Sequence, residues 1–368
     1  MGKELKEVFN VFLRLGLTAF GGPAAHIAMM RQEVVARRKW MDDSAFIRLL
    51  GATNLIPGPN STELAIHLGK ERAGWRGLLT AGAFFILPAV VITGFISWLY
   101  KAYGTLPAVE PFIYGIRPAI IAVIIMAVIP LTKASVKSTA LAVVGLAALV
   151  LALLGISEIA VMFGAGLLFM LGYYFKTTRQ ANGIFPLLFL GSYQTISNTG
   201  LFLTFLKIGA ILYGSGYVLF AFIDAELVAT GILSRQQLMD AIAVGQFTPG
   251  PVFSSVTFIG YQVNGFYGAL AATAGVFLPS FVFVALLNMI LHKVNKNKAF
   301  SAFLDAVNVA SVAVIAAVCW QMGRESIIGW QTAGIGVVSL LMLALFPRLN
   351  SAFIVLFGSI SGYLLTLL

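Results

Sequence analysis

Stretch after stretch of this chain is apolar for close to the ~20 residues an α-helix needs to cross a hydrocarbon core. The runs fall at 77–100, 112–131, 139–154, 159–175, 265–291, 302–322, 326–346 and 351–368. In hydrocarbon no water satisfies peptide N–H and C=O groups, so only helices and closed barrels can span it. A barrel is written in short segments of alternating polarity, and these runs do not alternate. Charged residues make up 10% of the chain against about a quarter in a soluble domain, which excludes a water-soluble fold. The expectation is an all-α polytopic membrane protein, multi-pass in the inner (cytoplasmic) membrane with the lipid bilayer as its solvent. Two weaker candidates, 8–30 and 199–223, carry polar residues that a plain span would not need. The first apolar stretch lacks a small-residue cleavage pattern and continues into Gly21-Gly22-Pro23, so it reads as mature protein rather than a removable leader.

The formal net charge of +10 is no argument for nucleic acid. The Lys and Arg residues sit in short loops between apolar runs, where the positive-inside bias places them in membrane proteins of bacterial type. One cysteine, Cys319 inside an apolar run, and three scattered histidines cannot assemble a thiolate metal site, a disulfide framework or a haem motif. No cofactor, no metal and no nucleic-acid partner are expected.

The chain aligns with itself at a spacing of roughly 192 residues. Phe12-Leu13-Arg14-Leu15-Gly16 matches Phe205-Leu206-Lys207-Ile208-Gly209, and Phe20-Gly21-Gly22-Pro23 falls on Tyr213-Gly214-Ser215-Gly216. Further on, Pro57-Gly58-Pro59 matches Pro249-Gly250-Pro251, Gly74-Trp75-Arg76-Gly77 matches Gly265-Phe266-Tyr267-Gly268, and Pro88 matches Pro279. Two homologous halves follow, 1–180 and 181–368, of about five spans each. The early loops of the first half carry the bases (Arg31, Arg37, Arg38, Lys39, Arg48), whereas those of the second carry Asp224, Glu226 and Asp240 against Arg235. Its bases, His292, Lys293, Lys296 and Lys298, occupy a loop whose first-half counterpart holds only Lys101 and Glu110. That swap predicts inverted topology, with loops 31–43 and 292–300 cytoplasmic and loops 101–110 and 224–240 outside. Helices over 44–56 and 60–69 would be roughly 15–20 Å long, short of the ~30 Å core. They predict a re-entrant hairpin with Pro-Gly-Pro at its turn, near mid-membrane, in each half. Gly21-Gly22-Pro23 and Gly214-Ser215-Gly216 admit two readings, a bend in one long helix or a break between two half-helices.

A helix that starts inside the membrane offers unpaired N–H groups and the positive end of its dipole, together an anion site. Pro57-Gly58-Pro59 followed by Asn60, Ser61, Thr62 and Glu63 reads as such a start, and Ser254 and Ser255 follow Pro251 in the second half. The alternative is a structural break satisfied by neighbouring helices. Arg14 and Lys207 are equivalent cations inside apolar segments, expensive there unless functional, and together suited to a divalent anion. Their alternative is snorkelling to a headgroup. Asn54 and Gln246, each three residues before a Pro-Gly-Pro, could donate to oxyanion oxygens or seal the hairpins. His26, Glu63 and His67 are candidates for proton coupling, with a capping box between Asn60 and Glu63 as the competing role for the carboxylate.

On these residues the chain resembles the long-chain members of the CHR family of chromate ion transporters over nearly its whole length. The resemblance rests on Phe20-Gly21-Gly22-Pro23-Ala24-Ala25-His26-Ile27, Arg37-Arg38-Lys39-Trp40 and Pro57-Gly58-Pro59-Asn60 with Gly69. In the second half it rests on Gly245-Gln246-Phe247-Thr248-Pro249-Gly250-Pro251 with Gly260. It implies a secondary transporter that exports chromate by the membrane potential or proton gradient, with sulfate as a look-alike substrate. Apart from the resemblance, a homodimer is an expectation for the assembly. Asn54 stands where a glutamine is common in the family, and Gly214-Ser215-Gly216 lacks the first-half proline. Uptake of sulfate or another oxyanion is the neighbouring reading. An enzyme acting on lipid-linked substrates is the reading from another class. It would show acidic metal clusters at a membrane face, and only Asp224 with Glu226 approaches one.

Overall fold

The computed structural model describes residues 2–20, 22–104, 106, 109–177, 197–213, 216–294, 298–347 and 349–366, with the backbone alone at 173–177, 288–294 and 298. Gly21, Gly214, Ser215, the stretch 178–196 that holds the expected boundary between halves, and the side chains of the basic cluster His292–Lys298 lie outside the described residues. All regular structure among the described residues is helical. The first half comprises α1 (Lys3–Thr18), α2 (Gly22–Arg31), a π-helical turn (Gln32–Arg37), α3 (Asp43–Thr53), α4 (Asn60–Tyr103), α5 (Glu110–Ser135), α6 (Thr139–Leu153) and α7 (Glu158–Thr177). The second repeats that order: α8 (Asn198–Ile211), α9 (Val218–Ile223), a π-helical turn (Asp224–Val228), α10 (Arg235–Phe247), α11 (Ser255–Val294), α12 (Lys298–Ser326), α13 (Trp330–Leu345) and α14 (Ser351–Thr366). A short 3-10 turn, Val252–Ser254, precedes α11.

Long apolar helices run over Asn60–Tyr103, Glu110–Ser135, Val252–Leu287 and Ala299–Ser326, each long enough to cross a membrane, and shorter apolar helices accompany them. α4 and α11 are each broken once, at the glycine the repeat aligns. Gly74 has φ 60°, ψ −148° and Gly265 has φ 62°, ψ −150°, a conformation essentially closed to residues with a Cβ. The chain folds back there, and Gly69 packs on Gly77 as Gly260 packs on Gly268, so tightly that a Cβ on any of them would strike backbone. Each broken helix is thus a short arm followed by a long one.

The packing also repeats, with the halves exchanged. α1 lies on α4 as α8 lies on α11, but α5 is flanked by α13 and α14 of the other half, and α12 by α6 and α7. α4 meets α11 and α5 meets α12 along the centre. Interlocked in this way, the halves share one core.

Candidate functional site

Pro57-Gly58-Pro59 forms the turn between α3 and α4, and Pro249-Gly250-Pro251 the turn between α10 and the start of α11. Prolines pre-set the chain for a helix start, while Gly58 (φ 127°) and Gly250 (φ 92°) supply a conformation other residues rarely adopt. Each turn docks on the other half. Gly58 N–H donates to the carbonyl of Leu212, just past α8, at 2.7 Å, and Gly250 N–H donates to that of Ala19, just past α1, at 2.8 Å.

The first helices do break. α1 stops at Thr18 and α2 starts at Gly22, while α8 stops at Ile211 and α9 starts at Val218. A Cβ on Gly216 would lie 3.9 Å from Pro23 Cγ, so the two breaks face one another. Ala19 O also lies 3.2 Å from His26 Nε2, and His26 Nδ1 lies 3.4 Å from Ser61 Oγ. One small region therefore gathers both breaks, the second Pro-Gly-Pro turn and the first residues of α4.

Thr62 Oγ1, Ser254 Oγ, Ser255 Oγ and Ser280 Oγ are buried and have no hydrogen-bond partner among the described residues. Three stand at the two helix starts. Ser280, on α11, abuts Gly58 together with the carboxylate of Glu63. Buried hydroxyls are normally satisfied, which leaves Thr62, Ser254 and Ser255 with donors to place, while Ser280 faces the Glu63 carboxylate. Glu63 is wholly buried, and Ser280 Oγ is the polar group set against its carboxylate among the described residues. The capping box expected between Asn60 and Glu63 does not form. Pro59 occupies the N-cap, has no N–H for Glu63 to accept, and leaves Asn60 as the first helical residue, its amide donating to Asn54 Oδ1 at 2.9 Å. The halves differ here: Ser255 aligns with Glu63, and Ala89, which abuts Gly250, aligns with Ser280.

Arg14 and Lys207 each meet a carboxylate of their own half. Arg14 pairs with Glu33, which also holds Arg38 at 2.8 Å and Arg37 at 3.4 Å, and Lys207 pairs with Glu226 at 2.7 Å. Both carboxylates lie on the π-helical turns. What the structure assembles at these positions is two matched ion pairs rather than two bare cations. Gln246 is buried, donating to Tyr217 OH at 3.1 Å and accepting from Ser351 Oγ at 3.0 Å, whereas its counterpart Asn54 is exposed. His67 turns from Glu63 toward Glu71, its Nε2 3.8 Å from Oε1.

Sequence reasoning placed Thr62 at the helix start but missed Glu33 and Ser280. It also missed a charged cluster across the halves. Asp240 of α10 accepts from Arg117 of α5 at 3.1 and 3.2 Å and from Tyr100 of α4 at 2.7 Å. The signal for Arg117 was present, a cation inside the apolar run 112–131.

Apolar helices of spanning length, with two broken helix pairs and buried polar groups where they meet, fit an integral membrane protein, and the family match makes its class that of the transporters. The chain belongs to the chromate transporter family, whose sequence model matches it twice, over residues 6–170 and 199–363. It is similar to the chromate transport protein of Cupriavidus metallidurans, 31% identical across 97% of this chain and 92% of that one. It is similar also to the chromate transport protein of Pseudomonas aeruginosa, 29% identical across 97% and 92%. No solved structure matches it. Membership makes this a transport protein rather than an enzyme, with an oxyanion as substrate.

Proposed function

We propose that this protein exports chromate across the cytoplasmic membrane, holding the dianion between the two Pro-Gly-Pro helix starts while two inverted halves rock around it. The observation that carries this reading is the set of buried hydroxyls without acceptors among the described residues, Thr62, Ser254 and Ser255, at helix starts whose N–H groups favour an anion. Asn60, Ser61, Asn54 and Gln246 complete the donors. Arg14 and Lys207 contribute by exchanging Glu33 and Glu226 for substrate oxygens. The names of the relatives support chromate as the anion, and sulfate, of the same charge and shape, is the second anion the site would take. The loop-charge swap supports placing 31–43 in the cytoplasm and 224–240 outside.

Glu63 has no cation partner among the described residues. An ionisable group buried in a membrane protein marks a proton or ion path, so Glu63, with His26 and His67 nearby, is the place for proton coupling. It has no acidic counterpart in the second half, where Ser255 stands. The test is chromate flux in proteoliposomes. Ser254→Ala with Ser255→Ala should lose roughly ten-fold or more, because a hydrogen bond to a charged group is worth about 1.5–3 kcal/mol. Excess sulfate should compete with chromate in the parent protein. Full flux in the double variant would remove these hydroxyls from the site.

A further inference from the structure

The two halves are built alike but are not packed alike. In the second half α9 lies on α12 and α7, and α10 on α5 and α14. Of their counterparts, α3 makes no comparable seam with α12 or α7, nor α2 with α5 or α14. Every residue of α9 is buried, whereas its counterpart α2 buries only His26 and Met30, and α10 is mostly buried where its counterpart α3 buries only Phe46, Ala52 and Thr53.

Polar contacts fasten the second-half seam: Asp240 to Arg117, and Gln246 to Ser351 at the start of α14. The repeat gives each a counterpart. Arg48 stands as far past Asp42, the N-cap of α3, as Asp240 stands past Ser234, the N-cap of α10. Asn308 stands as far before Gly329, the N-cap of α13, as Arg117 stands before Ser138, the N-cap of α6. Asn54 corresponds to Gln246, and Ser157 to Ser351. These four are apart. Arg48 is exposed and donates to Ser44 of its own helix at 3.0 Å, and Asn54 and Ser157 are exposed. Asn308 Oδ1 is buried with no partner among the described residues. A buried acceptor without a donor calls for explanation, and the aligned position on α3 carries a guanidinium.

We propose that Arg48, Asn54, Ser157 and Asn308 form a second gate. In the other state of the transporter α3 packs on α12 and α7, Arg48 donates to Asn308 Oδ1 and Asn54 meets Ser157, while the Asp240–Arg117 and Gln246–Ser351 contacts part. The structure is the state closed on the face of loop 224–240 and open on the face of loop 31–43. The closed gate holds an ion pair where the open one offers a neutral amide. This inference rests on the transport reading above.

The experiment uses the full chain in membranes with Cys319→Ser, so that only introduced thiols react. Arg48→Cys with Asn308→Cys is treated with a short bifunctional thiosulfonate, beside each single variant. The expected result is cross-linking in the pair alone, arrest of chromate flux by at least ten-fold, and recovery with reductant. A pair that transports when reduced yet cross-links no more than the singles overturns the gate, as does a cross-linked protein that still transports. Should the natural chain, with Cys319 in place, move no chromate, the transport reading fails, while cross-linking yield still reports whether the seam closes. If the first pair does not reach the membrane, Asn54→Cys with Ser157→Cys is read by cross-linking yield alone, and a yield no higher than that of its single variants overturns the gate.

Discussion

Arg14 and Lys207 are matched by the repeat, yet their removal should have unequal consequences. Arg14→Ala leaves Glu33 with Arg37 and Arg38, and the Arg14 side chain is itself 47% exposed, so a stability loss below about 1 kcal/mol is expected. Lys207→Ala leaves Glu226, 12% exposed, without its ion pair, at a cost of about 3–5 kcal/mol. Lys207→Ala with Glu226→Gln should recover most of that stability and still lose more than ten-fold in flux, if the lysine binds substrate. Thermal unfolding in detergent beside flux separates the two roles. Full flux in the stabilised double variant would reduce Lys207 to a structural cation. The cations themselves were legible, because a charge inside an apolar run stands out. Their carboxylates were not. Glu33 lies among loop bases, on a π-helical turn that sequence spacing does not announce, and meets Arg14 from there.

Among the elements, the broken helices were the most legible feature. Pro-Gly-Pro ends one helix and starts the next by removing N–H groups and fixing φ, and Gly74 and Gly265 recur at aligned positions. The first-helix breaks could be read two ways from sequence, because glycine and proline permit a bend as readily as a stop. The structure stops α1 at Thr18, where Ala19 O turns to accept from Gly250, a partner far along the chain that no local pattern announces. The capping box failed for a related reason. Local spacing suggested it, but the proline at the cap lacked the donor. Gly265→Ala isolates the cost of the break, since a Cβ there meets nothing within 4 Å and only the backbone is strained. A loss of about 1–3 kcal/mol is expected. Gly172→Ala, also with open space around it but inside α7, should be neutral or stabilising. Equal unfolding midpoints for the two variants would show that position 265 does not depend on glycine.

At the scale of the whole molecule, the repeat in sequence became a repeat in element order, and the halves proved to interlock through α5 with α14 and α12 with α7. That exchange was not legible, because hydropathy marks spans without saying which span each one faces. It puts helices of both halves against one another along the centre, and the proposed carriage of an anion would use that shared region when one seam opens. A dianion leaving the cytoplasm gains about 2.3 kcal/mol per charge per 100 mV, about 4.6 in all, equivalent to a gradient of about three powers of ten. The direct measurement is chromate flux in oriented proteoliposomes against an imposed potential, with equal pH on both sides. Orientation is fixed by labelling Val35→Cys from the cytoplasmic face and Thr230→Cys from the other. The expected result is outward flux that rises steeply with inside-negative potential and falls toward zero when the potential is collapsed. Flux that ignores the potential would mean that no net charge crosses, and would contradict potential-driven export of a bare dianion.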